Sequence, residues 1–278
     1  VQAGTLYYYR VLALNASGAS QPSNVANALT QAGMPSNLVA TAISTTQINL
    51  AWTAGMNAVG YRVERSPDGT TWQEIGTSTT TAYSDTTCAI GTRYYYRVFA
   101  TNASGDSAAS PVANTITYPA PVTDLTATPV SDIEVSLTWT PTVGASSYRI
   151  DRSLDGTVWT TNYDASTTSS YIDDGCAAGT TYHYRVYAVN ASGESTVSNV
   201  VNAMTYPASP TGLTAIAIST TRINLAWTSA AGSTGYRIER SLDASNWSTI
   251  GTSTVTSYAD TTCAIGTLYY YRVFAATA

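Results

Sequence analysis

A chain of 278 residues exceeds one ordinary domain, so two or more compact units are expected before any motif is read. The residues are 44% hydrophobic but only 10% charged, with 21 Tyr, and Arg supplies all 12 basic positions. A net charge of -5 removes the basic surface that nucleic acid or an anionic membrane needs, and no apolar run approaches the roughly 18 to 20 residues of a spanning helix.

In chain order the local pattern is β throughout, short alternating runs of Thr, Tyr, Val, Ile and Trp being bounded by Gly, Pro, Asp and Ser turns. Residues 1–31 read as the last two strands of a module. Residues 32–118 open on Leu38–Ala42, and Ile48, Leu50 and Trp52 then alternate inward on a second strand. Tyr61 and Val63 face in on a third, Asp68-Gly69 marks a tight hairpin, and Tyr94, Tyr96, Val98 and Ala100 alternate on the penultimate strand. Residues 119–206 repeat this with Asp155-Gly156 at the hairpin, and residues 207–278 repeat it again with Asp243-Ala244, lacking the last strand.

The repeat has a fixed beat. Gly-Thr-x-Tyr-x-Tyr-Arg-Val begins at Gly4, Gly91, Gly179 and Gly266, steps of 87, 88 and 87 residues (91−4, 179−91, 266−179). Trp52, Trp139 and Trp227 keep the same phase, as do Trp72, Trp159 and Trp247, and Cys88, Cys176 and Cys263. Seven short strands per copy is the count of an immunoglobulin-like sandwich. Pro-bearing junctions at 30–35, 117–121 and 205–210 favour an extended, semi-rigid rod.

The early Trp, the Tyr-x-Tyr-Arg-Val strand, the Ala-x-Asn-Ala-Ser-Gly loop and the Asp-Gly-Thr-x-Trp hairpin together resemble fibronectin type III domains of the bacterial extracellular kind. The resemblance covers essentially the whole chain and implies an all-β array of tandem sandwiches. It further implies that Tyr94, Tyr182 and Tyr269, with Tyr7 in the first copy, are corner tyrosines whose hydroxyls bond back to backbone. The fold hosts spacers, adhesins and receptors alike, and the integrin-binding Arg-Gly-Asp loop is absent.

Chemistry-bearing residues are sparse. The one histidine, His183, stands where the other copies carry Tyr8, Tyr95 and Tyr270, so it reads as a surface substitution rather than a catalytic base. The cysteines, one per module, lack metal-ligand spacing and read as buried apolar positions, with interchain disulfides as the alternative. Asp85, Asp173, Asp174 and Asp260 lie before the Cys loop and read as bonded to nearby backbone, the lesser alternative being a weak calcium site around Asp173 and Asp174, which would need about six or more converging oxygens. Glu64 and Glu239 are expected to pair across strands with Arg97 and Arg272. No catalytic residue, cofactor or metal site is expected.

Three sets of positions remain as candidates for contact or modification. Tyr95, His183 and Tyr270, each with an Arg two positions on (Arg97, Arg185 and Arg272), form a repeated Tyr/Arg face suited to lateral contacts. Trp72, Trp159 and Trp247 follow the hairpins and either pack structurally or stack on sugar rings. Asn15, Asn102, Asn190 and Asn246 begin Asn-x-Ser sequons and are glycosylation candidates, although an Asn-Ala-Ser-Gly turn also explains itself by loop geometry.

The expectation is a non-enzymatic structural repeat protein, extracellular or at the cell surface, forming a rod or filament by head-to-tail continuity. Its partners would be other copies of itself and, secondarily, carbohydrate, with no nucleic acid and no membrane span. Both ends of the chain fall inside a module, which reads as a window of a longer array or as strand donation between copies. The alternatives are a spacer array of a secreted polysaccharide-degrading enzyme and a carbohydrate-binding adhesin stalk.

Overall fold

The computed structural model describes residues 1–277, and these contain strands and turns with no helix. They divide into two compact units. The first comprises Val1–Pro121 with Thr142–Ser147 and Ala188–Thr196, and the second comprises Val122–Pro141, Tyr148–Tyr187 and the chain from Val197 onward.

In the first unit, Leu6–Tyr9 pairs antiparallel with Ala26–Leu29, and a two-residue hairpin joins Leu14–Asn15 to Gly18–Ala19. A complete sandwich follows. One sheet has the order Ser36–Ala42, Ile48–Thr53, Ala82–Asp85. The other places Arg93–Asn102 beside Gly60–Ser66, which in turn pairs with Gln73–Ser78. The sequence pattern dictates this layering, because Ile48, Leu50 and Trp52 and then Tyr94, Tyr96, Val98 and Ala100 occupy alternate positions and are all buried, facing each other across one core. Tyr61 and Val63 complete that core from the neighbouring strand.

The last strand is broken in two. Gly105–Ala109 and Ala113–Ile116 pair separately with Arg93–Asn102. Where the register breaks, serine hydroxyls carry the ladder: the Ala100 N–H donates to Ser107 Oγ at 2.9 Å and the Val98 N–H to Ser110 Oγ at 3.1 Å. Ser198 and Ser195 accept from Val186 and Ala188 in the same way, as do Ser23 and Ser20 from Val11 and Ala13. A serine that closes a buried N–H spares the core an unsatisfied donor worth about 1–3 kcal/mol.

In the second unit, Val135–Thr138 lies between Thr126–Pro129 and Ser170–Asp173, and residues 181–184 pair with Val201–Met204. Further on, Thr211–Ser219, Arg222–Thr228 and Ser257–Asp260 form one sheet, and Ser248–Ser253, Gly235–Ser241 and Tyr270–Ala276 the other. Leu225, Trp227, Tyr236 and Ile238 form the last core, Trp227 meeting Tyr236 edge-on at 5.2 Å. The expected corner bonds are present: the hydroxyls of Tyr94, Tyr182, Tyr269 and Tyr7 accept from the N–H groups of Ala89, Ala177, Ala264 and Gln2.

Candidate functional site

The outward face of the Arg-rich sheet is a stack of alternating cations and rings. In residues 32–118, Arg97 lies over Trp72 at 4.3 Å and over Phe99 at 5.3 Å, and Arg62 covers Phe99 at 4.1 Å. Arg185 takes the same place over Trp159 and Tyr187, and Arg272 over Trp247 and Phe274. The strand alternation that buries Tyr96 and Val98 puts Tyr95, Arg97 and Phe99 on this side. A carboxylate anchors each stack: Glu64 accepts from Arg97 Nε at 2.6 Å and also bonds Arg62, Asp151 accepts from Arg185 at 2.9 Å and also bonds Arg149, and Glu239 joins Arg272 and Arg237. The expected pairs Glu64–Arg97 and Glu239–Arg272 are thus present, in direct cross-strand register. Burial opposes ionisation of Glu64, yet the Arg62 and Arg97 hydrogen bonds hold its carboxyl below the usual range.

Trp72, Trp159 and Trp247 are therefore roofed by guanidinium groups within their own modules. Tyr95 and His183 are half-buried, their rings lying against the hairpin glycines Gly69 and Gly156, whose φ angles of 77° and 74° require the left-handed region. Tyr270 is exposed. Its hairpin carries Ala244 at a φ of 58°, held there by Asp243, whose Oδ1 accepts from the N–H groups of Ser245 and Asn246.

Beneath the other end of each sandwich lies a polar cluster that the sequence reading missed. Asp85, Asp173 and Asp260 end strands just before the Cys loop and are buried, with more partners than the backbone bonds expected of them. Asp85 accepts from Arg65 at 2.9 Å, from the Tyr96 hydroxyl at 2.9 Å and from the Thr87 N–H at 3.0 Å, the last being the backbone bond foreseen. Asp173 accepts from Arg152, Tyr184, Tyr163 and the Gly175 N–H. Asp260 repeats the Asp85 set with Arg240, Tyr271 and Thr262, and although burial opposes it, these bonds bring its carboxyl down to about 2. Each tyrosine also meets the cysteine, Cys88 Sγ lying 3.5 Å from Tyr96 Oη. All three thiols are buried and free, as expected for apolar positions, and burial pushes those of Cys88 and Cys176 up. Among the described residues no group of three or more His, Cys, Asp or Glu could hold a metal ion.

The second repeated construction is the joint between modules, seen within each unit. In the first unit Gly91 and Gly144 meet backbone to backbone, so closely that a Cβ on Gly91 would stand 2.3 Å from Gly144 Cα. In the second unit a Cβ on Gly179 would stand 2.3 Å from Gly232 Cα. At the earlier joint Gly4 faces Asn57, which has a φ of 53° and donates from Nδ2 to Ala3 O at 3.1 Å. Each pair is 53 residues apart (57−4, 144−91, 232−179), a recurrence visible in the sequence once the motif glycine is taken as an origin. One backbone bond beside each ties the linker to the module that follows: Gly33 N–H to Met56 O, Ala120 N–H to Val143 O and Ala208 N–H to Ala231 O, at 2.9, 3.0 and 3.0 Å.

The sequon loops belong to these joints. Asn102 Nδ2 donates to Thr30 O at 2.9 Å, and Asn190 Nδ2 donates to Thr117 O at 2.9 Å and to Gly144 O at 3.2 Å. Asn190 is 8% exposed, whereas Asn15 and Asn246 lie at the surface.

These features agree with what the chain is similar to. The model of the fibronectin type III domain matches residues 33–116 and 120–204. Exoglucanase B of Cellulomonas fimi is 29% identical over 272 residues, 86% of this chain and 24% of that protein. Receptor-type tyrosine-protein phosphatase eta of Gallus gallus is 31% identical over 287 residues, 99% of this chain and 20% of that protein. Chitinase A1 of Niallia circulans is 28% identical over 190 residues, 63% of this chain and 26% of that protein. The chain thus spans about a quarter or less of the length of these relatives. With the family's domain matched over most of its length, and the corner tyrosines and paired sheets in place, the chain belongs to the fibronectin type III family as a tandem array of its domains.

Proposed function

We propose that this array is a non-enzymatic structural segment, working outside the cell or at its surface, that holds what it connects at a set spacing. The observation that carries the reading is the joint. A flexible tether has no need of paired glycines, a matching backbone bond and a side-chain amide at its junctions, and here the backbone bond recurs at three, the glycine pair at two and the sequon-loop amide at two. The internal pairing of Arg97, Arg185 and Arg272 with carboxylates and rings supports the same reading, because it stiffens each module while leaving no group poised for proton transfer. The names of exoglucanase B and chitinase A1 favour one setting, a spacer within a secreted polysaccharide-degrading enzyme. A filament of modules would use the same joints, with the ordered Tyr95/Arg97, His183/Arg185 and Tyr270/Arg272 face as its lateral contact and the adjacent Trp residues as the place where a sugar would stack.

Two measurements on the full chain test this. Hydrogen exchange at the Gly91, Ala120, Gly179 and Ala208 amides is expected to be slow and to quicken in Asn190→Ala at the first two only. Sedimentation with insoluble cellulose and chitin is expected to leave the chain in solution. Joint amides that exchange as freely as an open loop would overturn the spacer, and retention on either polymer that disappears in Trp72→Ala would replace it with carbohydrate binding.

A further inference from the structure

The glycosylation motif and the joint use the same nitrogen. N-linked attachment joins a sugar C1 to Asn Nδ2, which loses a proton as the C1–O bond to a diphosphate leaving group breaks, so the donor is a glycosyl diphosphate and the product nitrogen keeps one hydrogen. Asn190 Nδ2 spends both hydrogens, one on Thr117 O in the preceding module and one on Gly144 O in its own. Gly144 is the residue packed against Gly91, so this amide ties together the two faces that meet at the joint. The sequon hydroxyl is engaged as well, Ser192 Oγ lying 3.2 Å from Thr115 Oγ1. Asn102 shows the same plan, with Nδ2 on Thr30 O and Ser104 Oγ donating to Leu29 O.

The other two sequons differ. Asn15 forms the same local turn, its Oδ1 accepting from the Ser17 N–H at 2.8 Å as Asn102 and Asn190 do from Ser104 and Ser192, but it is exposed. Asn246 is also exposed and commits Nδ2 only to Asp243 within its own hairpin, at 2.8 Å.

We propose that Asn102 and Asn190 are the latches of their joints, and that closure of a joint and attachment of an N-linked glycan to its asparagine exclude one another. A sugar on Asn190 removes one of its two donors and forces a ring into the space where the preceding module's Thr117 carbonyl sits. The glycan state of this loop would thus set whether a junction is locked or loose, while Asn246, bonded only within its own hairpin, accepts sugar without touching a joint. The inference rests on the joint reading above.

The test uses the folded chain, a sequon-specific asparagine glycosyltransferase and UDP-glucose, with occupancy at each site followed by peptide mass spectrometry and joint closure by hydrogen exchange at Gly91 and Ala120. Asn15 and Asn246 are expected to be modified at least about tenfold faster than Asn190. Two variants open the joint without touching the sequon or its partners: Gly91→Leu, whose Cβ would collide with Gly144, and Ala120→Pro, which removes the N–H given to Val143 and leaves Gly91 as the reporter of closure. Each is expected to raise the Asn190 rate toward that of Asn15. Equal rates at Asn190 and Asn15 while Gly91 and Ala120 stay protected would overturn the exclusion alone. Equal rates with unprotected joint amides would overturn the exclusion and the joint together.

Discussion

Replacing Asp173 with asparagine is the sharpest test of the buried cluster. The carboxylate is fully buried and accepts from Arg152 at 3.0 Å, Tyr184 Oη at 2.8 Å, Tyr163 Oη at 2.9 Å and the Gly175 N–H at 3.1 Å. Asparagine removes the charge opposite Arg152 and turns two donor hydrogens toward groups that are themselves donors. Breaking a buried pair by changing one partner costs about 3–5 kcal/mol, against about 1.5–3 kcal/mol for Tyr184→Phe, which deletes one neutral donor to an ion. Native-state hydrogen exchange reads this module by module, and a loss of about 3 kcal/mol quickens globally exchanging amides by roughly 100-fold. The amides of Ile150 and Val186 are the reporters, because both residues are fully buried in strands of that core. The double variant with Arg152→Met should recover part of the loss, since the unpaired cation goes too. An Asp173→Asn chain whose Ile150 and Val186 amides exchange within about threefold of the native rate would refute the cluster as a stabilising element.

Other outcomes follow from the same geometry. The left-handed Ala244 costs about 1–2 kcal/mol relative to glycine, partly offset by the greater freedom glycine has when unfolded, so Ala244→Gly should raise the stability of its module by about 0.5–1 kcal/mol in urea unfolding; a loss would contradict this. Asp260 is held at about 2, below its unfolded value of about 3.9, so its contribution of roughly 2 kcal/mol is complete above about pH 4 and drains away as the pH falls through 2. Urea midpoints measured from pH 5 to pH 2 should accordingly fall more steeply for the native chain than for Asp260→Asn, and parallel curves would count against it. The thiols of Cys88 and Cys176, buried and pushed up, should resist a disulfide reagent at pH 8 until denaturant is added, and modification of the folded chain within minutes would show the cores to be open.

The fold was legible because strand alternation and the 87–88-residue beat report directly on burial. Ile48, Leu50 and Trp52, and Tyr94, Tyr96 and Val98, sit inside as their spacing requires. The pairing of Glu64 with Arg97 was legible for the same reason, since both are outward positions on adjacent strands. What stayed hidden depends on contacts between segments far apart in the chain. Asp85 looks like any turn aspartate until Arg65 and Tyr96 are brought to it from the opposite sheet. Gly144 and Gly232 look like ordinary loop glycines until Gly91 and Gly179 arrive from the previous module. Asn190 likewise fits a sequon and a turn equally well, and only the position of Thr117 O shows where its amide is spent. On the outward face, the sequence placed Tyr95, Arg97 and Trp72 correctly at the surface side but could not show that the guanidinium lies on the indole.

The central claim is that successive modules meet at built joints, and hydrogen exchange at four amides tests it most directly. In the full chain at neutral pH the N–H groups of Gly91, Ala120, Gly179 and Ala208, which tie the linkers to the module on either side by donating to Tyr118, Val143, Tyr206 and Ala231, are predicted to exchange about 100-fold or more slowly than in unstructured peptide. Exchange of those four at unstructured rates, with Val98 and Val186 still protected in their cores, would mean folded modules on open hinges and would contradict the account.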